Sequence, residues 1–362
     1  MRLRRLRLRS YRNYSRLDLE PGPGLNIFLG ANGQGKTNLL EAVALLALSA
    51  SPRARRAAEL VAWGAREATV EAEVEAGGLR REVTVQVALG EGERSQRRIL
   101  VDGVGKRALD LPGSFRVTLF WPDDLALVKS GPEHRRRFLN HFLVQVQPGY
   151  TRALSGYTRV LEQRNSLLRR ISAGDASPGE LEAWDPELLR LGAEIVKARA
   201  EAVASLAGLA AEEQLRIAAG ERLEIEYLGP PDDFSGAVHK SLAEDLRRGA
   251  TSVGPHRDDL KLLLNGREAR GFASQGQQRS LVVSLKLAEA RLVRARSGEP
   301  PVLLLDDILS ELDGDRRRAL LEAVGGEGQV IITATEAESF APAAIAQAQV
   351  WTIEQRQIVA CG

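Results

Sequence analysis

The stretch LNIFLGANGQGKTNLLEA, residues 25–42, decides how this chain is read. Its first five residues are apolar apart from Asn26 and fit a buried strand leading into glycine. G-x-x-x-x-G-K-T follows, and Lys36 to Ala50 is an apolar, alanine-rich run with no helix breaker. In a strand–loop–helix of this kind, the loop amides of Gly30, Ala31, Asn32, Gly33, Gln34 and Gly35 cradle phosphates. The positive end of the helix dipole helps. Lys36 reaches the β- and γ-phosphates of ATP and the Thr37 hydroxyl ligates Mg²⁺, with Asn38 next to it in the same binding segment. A chance match in a chain of this size is on the order of one in a hundred, and the strand–helix context lowers it further.

VLLLDDILSELD, residues 302–313, supplies the complementary half. A P-loop needs an acid at the end of a neighbouring strand to hold the magnesium, and Asp306 is placed for that. Asp307 stands next to it, where a carboxylate polarises attacking water. SQGQQRSLVVSLKLAEARL, residues 274–292, begins as a polar turn and runs into an amphipathic helix. Ser274, Gln275, Gly276 and Gln277 would form a second helix N-terminus able to bind phosphate. A glycine-containing helix start about 30 residues before an apolar strand ending in acid is the arrangement of ABC-type ATPase heads. In those heads the signature turn of one subunit closes over the γ-phosphate held by the other.

Outward from these motifs, the N-terminal part reads as strands and turns. Leu3 to Arg9 and Leu17 to Leu19 alternate, Thr69 to Glu75 and Arg81 to Ala88 flank Gly77-Gly78 as a hairpin, and Arg98 to Asp102 with Lys106 to Leu109 reads as another. From Pro122 the chain turns helical. Tyr150, Leu154, Tyr157, Leu161, Arg164, Leu168 and Ile171 form a seam broken only by Arg164. After the loop 172–180, with Ser177, Pro178 and Glu180 as a capping box, a second seam runs through Leu181, Trp184, Leu188, Leu191, Ile195, Ala198 and Ala202. The two fold back as a short antiparallel arm; a run of about 40 residues reaches only roughly 60 Å at 1.5 Å per residue. Pro301 to Leu305 and Gln329 to Thr333 return to wholly apolar strands with a helix between, which implies a sheet covered on both faces. The fold class expected is α/β, an ABC-type P-loop ATPase head (lobe I) with an inserted, mainly helical lobe II carrying the arm. The divisions are 1–121 for lobe I with the P-loop, 122–299 for lobe II with the arm and signature motif, and 300–362 for the rest of lobe I.

Composition narrows the class. The 362 residues carry a net charge of +2, and 43 of the 50 basic residues are arginine, a planar fork suited to phosphate and carboxylate. MRLRRLRLRS alternates Arg with Leu and is not expected to act as a secretory signal. No stretch approaches the roughly 20 apolar residues of a spanning helix. One cysteine, Cys361, excludes an intrachain disulfide, and a cytoplasmic location is expected.

Six segments resemble the RecF family of bacterial recombinational-repair ATPases, related to the Rad50 and SMC heads. They are residues 10–42, FWPDDLALVKSGPEHRRRFLN (120–140), LEQRNSLL (161–168), TSVGPHRDDL (251–260), residues 274–290 and LLLDDILSELD (303–313). The resemblance spans nearly the whole chain in order. It implies a compact head without a long coiled coil, an ATP-dependent homodimer, and slow, DNA-dependent ATP hydrolysis. It also implies binding of double-stranded DNA, including gaps or single-/double-strand junctions, and action with RecO and RecR in loading RecA during DNA repair and the SOS response. It makes Lys36 and Thr37 Walker A, Asp306 and Asp307 Walker B, Ser274 to Gln277 the signature turn and Ser310 to Asp313 the D-loop, and it places Arg12 and Asn13 along the nucleotide. Two features depart from ABC heads. Asp307 replaces the usual glutamate, which suits slow hydrolysis, and Thr333-Ala334-Thr335 stands where transporters carry a switch histidine. No Q-loop glutamine is assigned. His256 reads as a structural hydrogen-bonding group, and His134 with Arg135 to Arg137 as a solvated or phosphate-contacting basic run.

Two other classes fit parts of the pattern. A chromosome tether of the SMC kind needs hundreds of coiled-coil residues, and the arm is far shorter. The ATPase subunit of a membrane transporter predicts a switch histidine and a Leu-Ser-Gly-Gly-Gln signature, and this sequence has neither. A nuclease would need a further carboxylate or histidine cluster.

Overall fold

The computed structural model describes residues 1–90, 95–326, 328–354 and 357–361, which divide into two compact units. The first comprises Met1–Leu125, Glu212–Glu221 and Ser274–Gly362, and the second Ala126–Ala211 and Arg222–Ala273.

A six-stranded sheet, assembled from both ends of the chain, forms the centre of the first unit. Its order is Gln357–Cys361, Gln349–Glu354, Leu25–Leu29, Val330–Ala334, Val302–Asp306 and Val117–Phe120. Apart from the antiparallel edge strand at the C-terminus, neighbours run parallel. Parallel strands are buried on both faces, which is why Val302–Asp306 and Val330–Ala334 carry no alternation. A second, antiparallel sheet orders Tyr14–Leu19, Arg2–Tyr11, Glu67–Ala76, Leu79–Leu89, Ser95–Val101 and Val104–Lys106. Here polarity alternates: Leu6 and Leu8 are buried, while Arg9 is exposed. The helix Lys36–Leu48 packs against strands of both sheets, and Leu39 to Leu48 are all buried. A helix apolar all round is the solution for an element covered on every side.

Gln329 joins the chain ends. Its buried amide accepts from Leu3 N at 2.7 Å and donates to Leu3 O at 2.9 Å and Gly22 O at 2.7 Å.

The second unit holds a three-stranded antiparallel sheet, in the order Arg267–Glu268, Asp259–Leu264, Leu223–Leu228, with helices Pro132–Val146, Tyr150–Ser172 and most of Asp185–Ile217. The two seams do fold back on each other: a Cβ on Gly156 would lie 3.0 Å from Leu191, and one on Gly192 3.2 Å from Tyr157. Arg164, the break in the seam, is 1% exposed. Its guanidinium donates at 2.8 Å to each of Asp185, Asp245 and Thr251. The charge is thus buried with two carboxylates rather than left on a solvent face. A similar core surrounds Arg199, which donates to Asp258 at 3.0 Å, Asn140 at 3.0 Å and Tyr150 at 3.1 Å.

Several expectations shift in detail. The sequence places 274–299 with the helical insertion, but in the structure this segment falls in the first unit. The reason is packing: Val283, Leu287 and Ala290 share one apolar cluster with Leu303 and Leu305. Ser177 caps a 3₁₀ turn, Pro178–Ala183, and the long helix starts only at Asp185. The second hairpin ends at Lys106, and Ala108–Asp110 is a 3₁₀ turn held by Arg107 donating to Asp110 at 2.8 Å. Arg135 is not solvated. It is 6% exposed and pairs with Asp259 at 2.6 Å.

Candidate nucleotide site

The P-loop turns on glycine. Gly33 and Gly35 hold φ of 81° and 113°, a left-handed region that a side chain disfavours, and a Cβ on Gly35 would lie 2.4 Å from Asn13. Asn13 itself braces the loop. Its amide donates to Gln34 O at 3.0 Å and accepts from Asn38 at 2.8 Å. The Tyr14 hydroxyl donates to Gly35 O at 3.1 Å.

Lys36 folds its ammonium back into the loop, bonding Gly30 O and Ala31 O, with Asn32 at 3.5 Å. Burial lowers its pKa, while the neighbouring Asp307 and Asp306 oppose the shift. Three backbone and amide oxygens thus gather the charge where phosphate oxygens would compete for it.

The parallel sheet brings the second strand end alongside. Thr37 Oγ1 donates to Asp306 Oδ2 at 2.8 Å, and Thr333 Oγ1 donates to the other carboxylate oxygen, also at 2.8 Å. Thr333, fully buried, also accepts from Asp307 N at 3.0 Å. Burial raises the Asp306 pKa, and the two hydroxyl bonds hold it back. Asp307 has a φ of 49°, and its carboxyl is likewise pushed up by burial and pulled down by Lys36. A non-glycine residue in that region is an uncommon backbone state, fixed here by the Thr333 bond. Thr37 and Asp306 offer hard oxygens, the donor type magnesium takes while keeping most of its waters. Among the described residues no group of three or more His, Cys, Asp or Glu gathers to hold a metal.

Arg12 is bonded to the helix that follows the P-loop. Its guanidinium is held by Glu41 at 2.6 and 2.9 Å and by Glu59 O at 2.8 Å, and Glu41 is completely buried. It links the helix Lys36–Leu48 to the loop after it. Ser274 to Gln277 lie elsewhere in the same unit. Ser274 caps the helix Gln275–Ser297 in a capping box with Gln277, and no hydrogen bond or ion pair among the described residues joins these four to Gly30–Asn38. Instead Gln277 of the turn donates to Glu221 at 3.3 Å. Arg316 donates to Asp313 at 3.0 Å, faces Glu221 at 3.6 Å, and would meet a Cβ on Gly276 at 2.6 Å. Arg279 pairs with Glu311 at 3.2 Å. Sequence reasoning missed Arg316, Glu221 and Glu41, since nothing local marks a tertiary partner. The GPHRDD histidine, in the second unit, has the structural place expected. Its Nε2–H donates to Thr251 O at 2.9 Å and its Nδ1 accepts from Tyr157 at 2.7 Å. The carbonyl can only accept, which fixes the tautomer.

A P-loop on the inner strand of a two-ended parallel sheet, with an acid on a neighbouring strand and a remote capped turn, defines an ABC-type ATPase head. A family model described as RecF/RecN/SMC N terminal domain matches residues 2–358. The chain is 41% identical to the DNA replication and repair protein RecF of Heliobacterium modesticaldum, over 99% of both chains. It is 40% identical to that of Moorella thermoacetica, over 97% of this chain and 94% of the relative. A solved structure of the recombination mediator protein RecF with ATP, in the RecFOR pathway, superposes with a TM-score of 0.90 at 31% identity, covering 99% of this chain and 97% of that one. An Smc head bound to the C-terminal winged-helix domain of ScpA shares the fold at a TM-score of 0.59 and 14% identity. The chain belongs to the RecF family.

Proposed function

We propose that this protein is an ATP-gated DNA-binding protein of recombinational repair. Two copies would sandwich two ATP molecules head to tail, each held by Lys36 of one copy and the Ser274 turn of the other. The observation that carries this reading is the exposure of Ser274 and Gln275, in a turn that bonds Glu221 through Gln277 at 3.3 Å and has no hydrogen bond or ion pair to the chain's own P-loop among the described residues. The loop grips phosphate from one side and leaves the other side for a second copy.

In this reading the amides of Gly30 to Gly35 bind the phosphates, and Lys36 exchanges its loop carbonyls for β- and γ-oxygens. Thr37 and Asp306 would hold magnesium, which when bound neutralises charge on those oxygens. Asp307 orients the attacking water and Thr333 holds Asp306 and Asp307 in register. An aspartate in place of glutamate reaches less far, which suits slow hydrolysis. Loss of the γ-phosphate then removes the bridge between copies, so ATP serves as a switch rather than as chemistry on DNA. Binding to double-stranded DNA would be dominated by phosphate contacts and fall with salt. The RecF relatives' names place them in DNA replication and repair and in the RecFOR pathway. On that ground we extend the reading to cooperation with RecO and RecR, loading of RecA at gaps, and a cytoplasmic location. No helix among the described residues is long and apolar enough to cross a membrane.

The test is the size of the protein in solution with and without ATP, for wild type, Lys36→Met and Ser274→Arg. Wild type should dimerise only with ATP, and both variants should stay monomeric. A Ser274→Arg protein that dimerises normally would sink the sandwich.

A further inference from the structure

The seams of the helical arm are not covered evenly. Along the helix Tyr150–Ser172, Tyr150, Tyr157 and Leu168 are 2% exposed or less, as seam positions require. Leu154 and Leu161, one heptad apart on the same seam, stay partly exposed, and Thr158 between them is exposed. Both leucines wall a cavity of about 280 Å³ in the second unit, together with Ile195 of the helix Asp185–Ile217 and Pro255 of the GPHRDD segment. The polar groups around it are held in place. Tyr157 donates to His256 Nδ1 at 2.7 Å, and Arg199 donates to Asn140 and Asp258, each at 3.0 Å. Gly254 permits this approach, since a Cβ there would lie 2.4 Å from the Tyr157 hydroxyl.

Arg136, from the helix Pro132–Val146, lines the same cavity and is the exception. It is half-buried, yet among the described residues its guanidinium makes one hydrogen bond, to Asp258 O at 2.7 Å, and no ion pair. The acids near it are engaged elsewhere. Asp259 pairs with Arg135, Asp258 with Arg199, and Glu133 lies against His134 at 3.5 Å. Burial lowers the Arg136 pKa, and the charge of Arg199 lowers it further. A guanidinium carries more N–H donors than that single bond uses, so Arg136 brings an uncompensated charge and free donors to an otherwise apolar wall.

We propose that this cavity docks a segment of a protein partner, taking an apolar side chain against Leu154, Leu161 and Ile195 while an adjacent carboxylate pairs with Arg136. Charge and polarity both favour this occupant. A carboxylate meets a guanidinium through paired N–H···O bonds, which strengthen where water is excluded. The apolar wall calls for an apolar body beside the anion, and a leucine or phenylalanine next to an acid supplies both. A DNA phosphate would answer Arg136 but leave that wall wet, and a lone unpaired cation is a small footprint for a polyanion. All of these residues belong to the second unit, so docking here needs neither ATP nor a second copy.

The experiment uses the full chain without nucleotide and follows N-acetyl-L-leucine by saturation-transfer NMR, with N-acetyl-L-leucinamide and inorganic phosphate as competitors. The acid should bind with a Kd of about a few millimolar, as befits so small a ligand. The amide should bind at least about tenfold more weakly, and phosphate should compete no better than the amide. Arg136→Gln should bring the acid down to the level of the amide and leave the amide unchanged. Thr158→Glu, at an exposed position that folding does not need, should weaken the acid by about threefold and spare the amide. Wild type that binds neither leucine probe, equal binding of acid and amide, phosphate competing as well as the acid, or an acid preference that survives Arg136→Gln would each overturn the inference. So would a loss of duplex-DNA affinity of about tenfold or more in Arg136→Gln, the mark of a phosphate contact.

Discussion

The Thr37 hydroxyl donates to Asp306 at 2.8 Å, joining two motifs 269 residues apart in sequence. The contact exists because Leu25–Leu29 and Val302–Asp306 both neighbour Val330–Ala334 in the sheet, so their C-terminal ends emerge side by side. Replacing Asp306 with Asn keeps an oxygen for Thr37 but removes the charge. ATP turnover, followed as phosphate release with magnesium, should fall by about a hundredfold or more, with the fold intact by circular dichroism.

Thr333 supports the same carboxylate from behind and fixes the strained Asp307 backbone. Thr333→Val removes both bonds at constant shape. Outer partners of a metal-holding group typically cost 10–100-fold, so turnover should drop by about that range while ATP binding holds. Thr333→Ser should restore it; failure of the serine to rescue would show that the hydroxyl is not the active feature.

Arg316 should matter to dimer formation rather than to folding. It sits partly exposed on the surface, holding Asp313 and lying against Gly276. Arg316→Ala removes the side chain beside Gly276, and under the proposed sandwich the ATP concentration needed for dimer formation should rise about tenfold. Thermal unfolding without ATP should change little, because such exposed pairs are worth roughly 0–1 kcal/mol.

Arg164 presents the opposite case. Removing it leaves Asp245, which is fully buried, without its guanidinium. Arg164→Ala should cost about 3–5 kcal/mol in denaturant unfolding. A loss under 1 kcal/mol would mean that water or a rearranged side chain replaces the pair.

Burial lowers the pKa of His256, so the folded protein keeps it neutral where the unfolded chain would take a proton. The unfolded state then binds more protons as pH falls below about 6.5, and folding stability falls with it. Thermal midpoints of wild type should drop from pH 7 toward pH 5 more steeply than those of His256→Gln. Parallel slopes would show that other groups carry the acid sensitivity.

Much of this was legible from local pattern. The P-loop lies in one contiguous stretch, because its strand, turn and helix are neighbours in the chain, and apolar runs identify buried parallel strands. The capping box at Ser274 is equally local. Other positions misled for the same reason. Arg135 reads as part of a solvated or phosphate-contacting run, yet it is buried against Asp259, and Arg164, the break in the seam, is buried against Asp185 and Asp245 from distant segments. The Arg12–Glu41 ion pair, which ties Arg12 to the helix after the P-loop, likewise has no local signal.

The sequence by itself determined that the chain carries a phosphate-binding loop, an acid-ended strand and a capped turn, because each depends on contacts within a few residues. Only the tertiary structure decided which of them meet. Parallel strand order placed Asp306 and Thr333 at Thr37, and Glu221 joined Gln277 of the Ser274 turn to Arg316. Those pairings form between groups far apart in the chain, and no periodicity or spacing records them.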